Sequence, residues 1–438
     1  MEEMNKPTVM VINKGFLNDA LSTASNKGMP GIRIVTEDII SECSVKEQIE
    51  AGISPIMDDI ITALSNPLTT EEKSPKPRKP EKPSRIIFKG NLEEVNRFFY
   101  RRGWGDGLPV IPPTEEAVAE MMTGTDLPLD YLLGRLAPRQ GKVTVEKVAV
   151  HAVMAGALPT YMPLLIAGVK LLVGVGGGAM AVSTSSQAMY WIINGPIRSD
   201  LHINCSYGAM SPGDIANATI GRVMGLMLKN LGGIRKGIED MGVLGNPMKY
   251  SMILAENEEE SPWEPLHVQR GFDKKDNTIS SSASNHLWMV QPYGTDDKGI
   301  LRSVIYNLLP GVAGPGGGGC CILLSPIVAG ILASSGWTKR DIADFVSEHA
   351  RIPLNRIPQY YGNFPEFPYK ALFLNPEDYV PIISRPEAIQ ILVMGGIGSW
   401  VGIIGGGGRS NIAKVELPVN WDQLVKKYKD IMPTYIKY

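Results

Sequence analysis

Three apolar, β-type segments of this chain each adjoin a run of glycines, at Gly174 to Gly178, Gly314 to Gly319 and Gly395 to Gly408. Glycine accepts a left-handed backbone and a close neighbour, so strand, tight loop and helix can alternate without lateral bulk. The recurrence predicts an α/β fold in which related strand–glycine loop–helix units build one large domain. None of the clusters is a nucleotide fingerprint. Gly395-Gly396-Ile397-Gly398 lacks the full dinucleotide spacing with a later acidic residue, and no phosphate-loop glycine–lysine motif occurs.

At 438 residues the chain is too long for one ordinary core. Between Thr69 and Ser84 its composition shifts to Pro, Lys and Glu, the character of a solvated, semi-stiff linker. The expected organisation is a small β-α-β-α domain over 1–68, a linker over 69–85 and a large α/β domain over 86–438. In the small part Thr8 to Ile12 and Ile32 to Val35 read as strands. Ser44 to Leu64 reads as one helix, capped by Ser44 and Glu47, with Cys43 just outside its N-terminus. Lys plus Arg number 43 against 45 for Asp plus Glu, so no chain-wide field points to nucleic acid or to an anionic membrane. The apolar run Leu158 to Val182 is interrupted by Lys170, prolines and glycines, which argues against a membrane span. Four cysteines without zinc-type spacing, and an N-terminal Met1 to Pro7 unlike a signal peptide, point to free thiols in the cytoplasm.

The chemistry concentrates between Met189 and His267. The strand-like run Met189 to Ile193 breaks at Asn194-Gly195-Pro196 and leads through Asn204, Cys205 and Ser206 to a helix expected from Ser211 and Pro212 to Gly232-Gly233. A second short strand, Tyr250 to Ala255, empties into Glu256, Glu258, Glu259, Glu260, Trp263, Glu264 and His267. Cys205 is therefore expected in a pocket with Asn194, Asn204, Ser206, Arg222 and His267, its thiolate stabilised by the helix N-terminus and by Arg222 or His267. Cys320 and Cys321 begin an apolar strand, where desolvation opposes ionisation. Asn217 and Arg222 lie on an otherwise buried helix and have two readings. They satisfy loop carbonyls within the fold, or Arg222 anchors a substrate anion. A lone histidine on an apolar helix, His151, reads as a satisfied core residue before a catalytic one. The tight loop Gly103 to Pro109 presents Trp104 and Asp106 where a ligand or another chain could approach. Glu264 and His267 have the spacing of some metal helices, yet Pro265 lies between them and no second copy exists, so no cofactor is predicted and a metal ion only weakly.

The blocks Gly103-Trp104-Gly105-Asp106-Gly107-Leu108-Pro109, Thr144-Val145-Glu146-Lys147, Asn194-Gly195-Pro196-Ile197, Asn217-Ala218-Thr219-Ile220-Gly221-Arg222 and Ser261-Pro262-Trp263-Glu264-Pro265-Leu266-His267 resemble the bacterial UGSC-type (seleno)protein family. That family takes its name from a selenocysteine-Gly-Ser-Cys motif in a small domain, found alone or joined to a large domain of this kind. The resemblance spans roughly Asn91 to Pro418 and implies thiol or selenol redox chemistry. Here the small domain carries Ser41-Glu42-Cys43-Ser44 in place of the motif, and Ser186-Gln187, Ile327-Val328 and Trp400 stand where the family carries histidines.

Two functions follow. One is a thiol-dependent oxidoreductase or lyase acting on a small, anionic substrate, with Cys205 or Cys43 as nucleophile and His267 and Glu264 as acid–base partners. Asp106, Trp104, Asn194, Asn204, Ser206, Asn217, Arg222 and Trp263 then line its substrate, and a thioredoxin-like protein or a sister subunit is its partner. The other is a non-catalytic assembly subunit. In either case the glycine clusters and apolar runs lead one to expect a homo-oligomer.

Overall fold

The computed structural model describes residues 6–39, 46–69, 72, 84–174, 182, 184–310, 318–353, 378–406 and 410–431. Cys43, Ser44, most of the linker and most of the first two glycine clusters lie outside them, and the expectations placed there lie outside the described residues.

The protein is α/β. At its N-terminal end two short parallel strands, β1 (Met10–Asn13) and β2 (Ile34–Glu37), pair across the helix Leu17–Asn26. The single helix expected up to Leu64 is two, Lys46–Ile53 and Met57–Ser65, with a 3-10 turn over Ser54–Ile56. Pro55 lacks the N–H that a continuous helix needs and crowds the preceding turn. Next comes the helix Leu92–Arg102, opened by a capping box between Asn91 and Glu94 and closed by Gly103 in the left-handed region. A hairpin of β3 (Leu132–Leu136) and β4 (Gly141–Thr144) then leads into two buried helices, Val145–Ala155 and Met162–Gly174. Among the described residues no helix is long and apolar enough to cross a membrane.

The rest is built on one seven-stranded sheet containing β5 (Ala188–Asn194), β6 (Ile253–Ala255), β7 (Thr278–Val290), β8 (Cys320–Leu324), β11 (Ile389–Val393), β12 (Val401–Gly406) and β13 (Asn411–Lys414). A separate antiparallel pair, β9 (Arg351–Pro353) and β10 (Tyr379–Pro381), interrupts the second half. The order β11-β8-β12-β7-β5-β6 is a repeated unit. In the first half β5 and β6 run parallel, and β7 returns antiparallel beside β5. In the second, β8 and β11 run parallel, and β12 returns antiparallel beside β8. The two returning strands, β7 and β12, pair at the centre. Both parallel crossovers are helical: Ile215–Asn230 in the first, Pro326–Ser334 and Lys339–His349 in the second. Related units were thus expected correctly, but their make-up is different. The Gly395 to Gly398 loop joins strand to strand, β11 to β12, with no helix between.

Three cores follow from this topology. The outer face of the first half packs on the helices Val145–Ala155, Met162–Gly174 and Ile215–Asn230. The outer face of the second packs on Asp297–Asn307, Pro326–Ser334 and Lys339–His349. Side chains from β5, β6, β8, β11 and β12 share a third cluster, including Tyr190, Leu254, Leu323 and Leu392. One cluster can hold both ends of the strand order only because the sheet curls. The curl is closed by Asn257, after β6, whose N–H donates to the Val393 carbonyl on β11 at 2.8 Å.

Candidate functional site

At the carboxyl ends of β5 and β6, where the curl brings β11 alongside, the structure buries a network of charges. β5 ends on Asn194, which is fully buried. Its amide Nδ2 donates to Glu256 Oε2 at 2.7 Å and to Glu258 Oε1 at 3.1 Å, and the Gly195 N–H adds 2.8 Å to the same Glu258 oxygen. A one-turn helix, Ile197–Asp200, then sets Arg198 beneath the strand ends with its side chain 4% exposed. Nη1 of Arg198 donates to the Glu256 carbonyl at 2.6 Å, and Nη1 and Nη2 grip the Glu259 carboxylate at 3.2 and 2.9 Å. Its Nε also lies 3.1 Å from Glu258 Oε1. Across from it, Lys339 Nζ lies 2.7 Å from Glu256 Oε1, while the Leu266 N–H donates to Glu256 Oε2 at 2.7 Å. His267 is fully buried; Nε2 donates to the Lys274 carbonyl at 3.3 Å, which leaves Nδ1 without a hydrogen bond 3.9 Å from Glu258. Buried charges are tolerated only when paired and hydrogen-bonded, and here they are.

Cys205 sits at the edge of this network on a loop held by two asparagines. The Asn204 N–H donates to Asn217 Oδ1 at 2.9 Å, and Asn217 Nδ2 returns to the Asn204 and Ala209 carbonyls at 3.0 and 3.2 Å. Asn204 Oδ1 accepts from the Ser206 N–H at 2.8 Å. From the second half, the Gly395 N–H donates to the Cys205 carbonyl at 2.8 Å, and Gly396 lies so close to the Tyr207 ring that a Cβ there would overlap it. The Cys205 thiol is half-buried, 4.0 Å from Arg198 Nη1.

The thiolate expectation is corrected here. Burial pushes the Cys205 thiol up and outweighs the opposing pull of Arg198, while the Glu259 carboxylate pushes it further up. The helix does not help as expected either. Gly213 has φ +142°, outside helical space, so the helix starts at Ile215 and Asp214, not Ser211, is its N-cap. Cys320 and Cys321 behave as expected: both are buried, and burial pushes Cys320 up to about 12.

Of the residues expected around Cys205, Asn204 and Ser206 share its loop, Asn194 and His267 meet Glu258 in the adjoining network, and Arg222 belongs to neither. Its Nε and Nη2 bind Asp106 at 2.8 and 3.0 Å, and Nη2 reaches the Pro109 carbonyl at 2.8 Å, so the pair fastens the Gly103 to Pro109 loop to the Ile215–Asn230 helix. Trp104 packs edge-on against Phe98 and Phe99. The Trp263 indole donates to the Trp337 carbonyl at 2.9 Å, within the second outer core. The Glu264 side chain is exposed; only its carbonyl joins the network, accepting from Lys339 at 3.0 Å. His151 is a satisfied core residue, its Nδ1 on the Lys147 carbonyl at 2.6 Å and its Nε2 3.2 Å from Asn230 Nδ2. Sequence reasoning missed Arg198 and Lys339. A cation two residues after the strand-breaking Gly195-Pro196 was a signal for the first; Lys339, in a polar first helical turn, gave none.

No known family model matches the chain, and no curated protein or solved structure matches it either.

Proposed function

We propose that this chain is an enzyme of thiol-dependent redox or lyase type for a small anionic substrate, with Cys205 as the reacting thiol and Arg198 as the anion-holding group. The observation that carries this reading is the position of Arg198. Its guanidinium is buried, lies 4.0 Å from the Cys205 sulfur, and presents its fork to a carboxylate, that of Glu259, whose side chain is 63% exposed. An exposed glutamate on a buried arginine is displaceable at small cost, because water can take it up. A substrate carboxylate entering the same fork would be fixed bidentately beside the sulfur. Asn194, Glu256 and Lys339 hold Arg198 and its carboxylates in place, and His267, 3.9 Å from Glu258, is the group this reading assigns to proton relay. The resemblance of the Asn194-Gly195-Pro196-Ile197 and Ser261 to His267 blocks to the UGSC-type family supports thiol chemistry at this place. A cytoplasmic, self-associating protein is part of the same reading.

One observation favours the alternative, a non-catalytic assembly subunit: Asn194, Glu256 and His267 are fully buried, as groups that merely join two halves would be. Iodoacetamide alkylation of Cys205, read by peptide mass spectrometry from pH 6 to 9, separates the two. Under the enzyme reading Glu259→Gln speeds alkylation at pH 7.5 by about threefold or more, since it removes a charge that opposes the thiolate, and Arg198→Met slows it. Equal rates in all three proteins would leave the assembly reading.

A further inference from the structure

At the other end of the β5–β6 pair from Cys205, a cavity of about 450 Å³ opens between the first residues of β5, the Ile215–Asn230 helix and the segment from Ile234 to Met252. Its wall is apolar and rich in methionine, with Met189, Met224, Met248 and Met252 joined by Leu228 and Ile234. Its polar rim is unbalanced. Arg222, Lys229, Lys236 and Lys249 border it against only Asp106 and Asp240. Arg222 is matched by Asp106, and Lys249 lies 2.7 Å from Asp240. Lys229 donates to the carbonyls of Gly103 and Gly105, and no ion pair is formed by Lys229 or Lys236 among the described residues. The rim is held in place from the N-terminal part of the chain: Ser22 donates to Glu239 at 2.7 Å, and Arg235 grips the same carboxylate, on either side of Lys236.

We infer that this cavity is a binding site for a medium-chain carboxylate. Its size is that of a site enclosing one small ligand. Unbranched, polarisable methionines adapt to a flexible chain better than to a rigid ring system. The excess of two cations at the rim selects a ligand with one anionic end and leaves the chain to the methionines. Leu244, 96% exposed, stands at the mouth beside Tyr250 and extends the apolar wall outward. The site is independent of Cys205 and requires no chemistry there.

Titration of the full chain with decanoate and with decanol, followed by calorimetry and by tryptophan fluorescence, to which Trp191 in the cavity wall contributes, tests the assignment. Decanoate is expected to bind saturably and at least about tenfold more tightly than decanol, a difference of about 1.4 kcal/mol. Lys236→Met, at an exposed position, should weaken decanoate severalfold and leave decanol unchanged, and Lys229→Met should add to it. Met248→Trp, which fills the cavity, should remove both. Absence of saturable decanoate binding, equal affinity for acid and alcohol, or an unchanged acid affinity in folded Lys236→Met would overturn the inference.

Discussion

Lys339 and Glu256 meet at 2.7 Å, both buried, and they belong to different halves of the repeated sheet. Glu256 follows β6, whereas Lys339 begins the crossover helix between β8 and β11. The pair is thus an ionic contact between the two units, placed where the curled sheet closes. Removing one partner of a buried pair leaves a charge without compensation, which costs about 3–5 kcal/mol, while replacing both is often near neutral. Lys339→Met is therefore expected to lose about that much in denaturant unfolding, and Lys339→Met with Glu256→Gln to recover most of it. A double variant as unstable as the single one would show that the Asn194 and Leu266 bonds to Glu256, and not the ion pair, carry the junction.

His151 makes stability depend on pH. Burial, aided by the Lys147 charge, holds it down at about 4 despite its bond to the Lys147 carbonyl. Its unfolded value is about 6.5, so between those two pH values the unfolded chain binds a proton that the folded chain refuses. Stability contributed by the neutral ring is full above pH 6.5, falls as pH drops towards 4, and in total amounts to about 3 kcal/mol. Urea unfolding from pH 4 to 7.5 should therefore show wild type and His151→Leu converging on the acid side. Parallel curves would mean that the ring takes up its proton at the same pH in the folded as in the unfolded chain.

The Arg222–Asp106 pair is a fastening of the Gly103 to Pro109 loop. Lysine cannot reproduce the two parallel bonds, so Arg222→Lys is expected to destabilise by about 2 kcal/mol and to expose the loop to proteolysis. Asp106→Asn should do the same. Resistance of the loop to protease in both variants would return Arg222 to the role of a free anion anchor.

Much of the local structure was legible because its causes are local. Asn91 with Glu94, and Thr338 with Asp341, announce helix starts through bonds that span three residues. Gly103 and Gly156 end helices because the left-handed backbone there suits glycine. The apolar runs at β5, β8 and β11, with helical periods between them, determined the α/β class. The sequence also marked Asn204, Cys205 and Ser206 as one turn between a buried strand and a helix.

Only the tertiary structure decided the rest. β7, the longest strand, carries Ser280, Ser281, Ser282 and Ser284, a composition that reads as loop, yet these serines are buried because β5 lies on one side of them and β13 and β12 on the other. Tertiary position overrode propensity there. Arg222 was assigned to Cys205 because it lies on the helix that follows Cys205, but its partner lies 116 residues away on a loop whose approach no period encodes. Lys339 was invisible as a site residue for the same reason, and Arg198 carried only a local hint, its place just after Gly195-Pro196. A side chain's charge is written in the sequence, whereas whether it is buried, and against which opposite charge, is settled only when the sheet curls and sets the ends of β6 and β11 side by side.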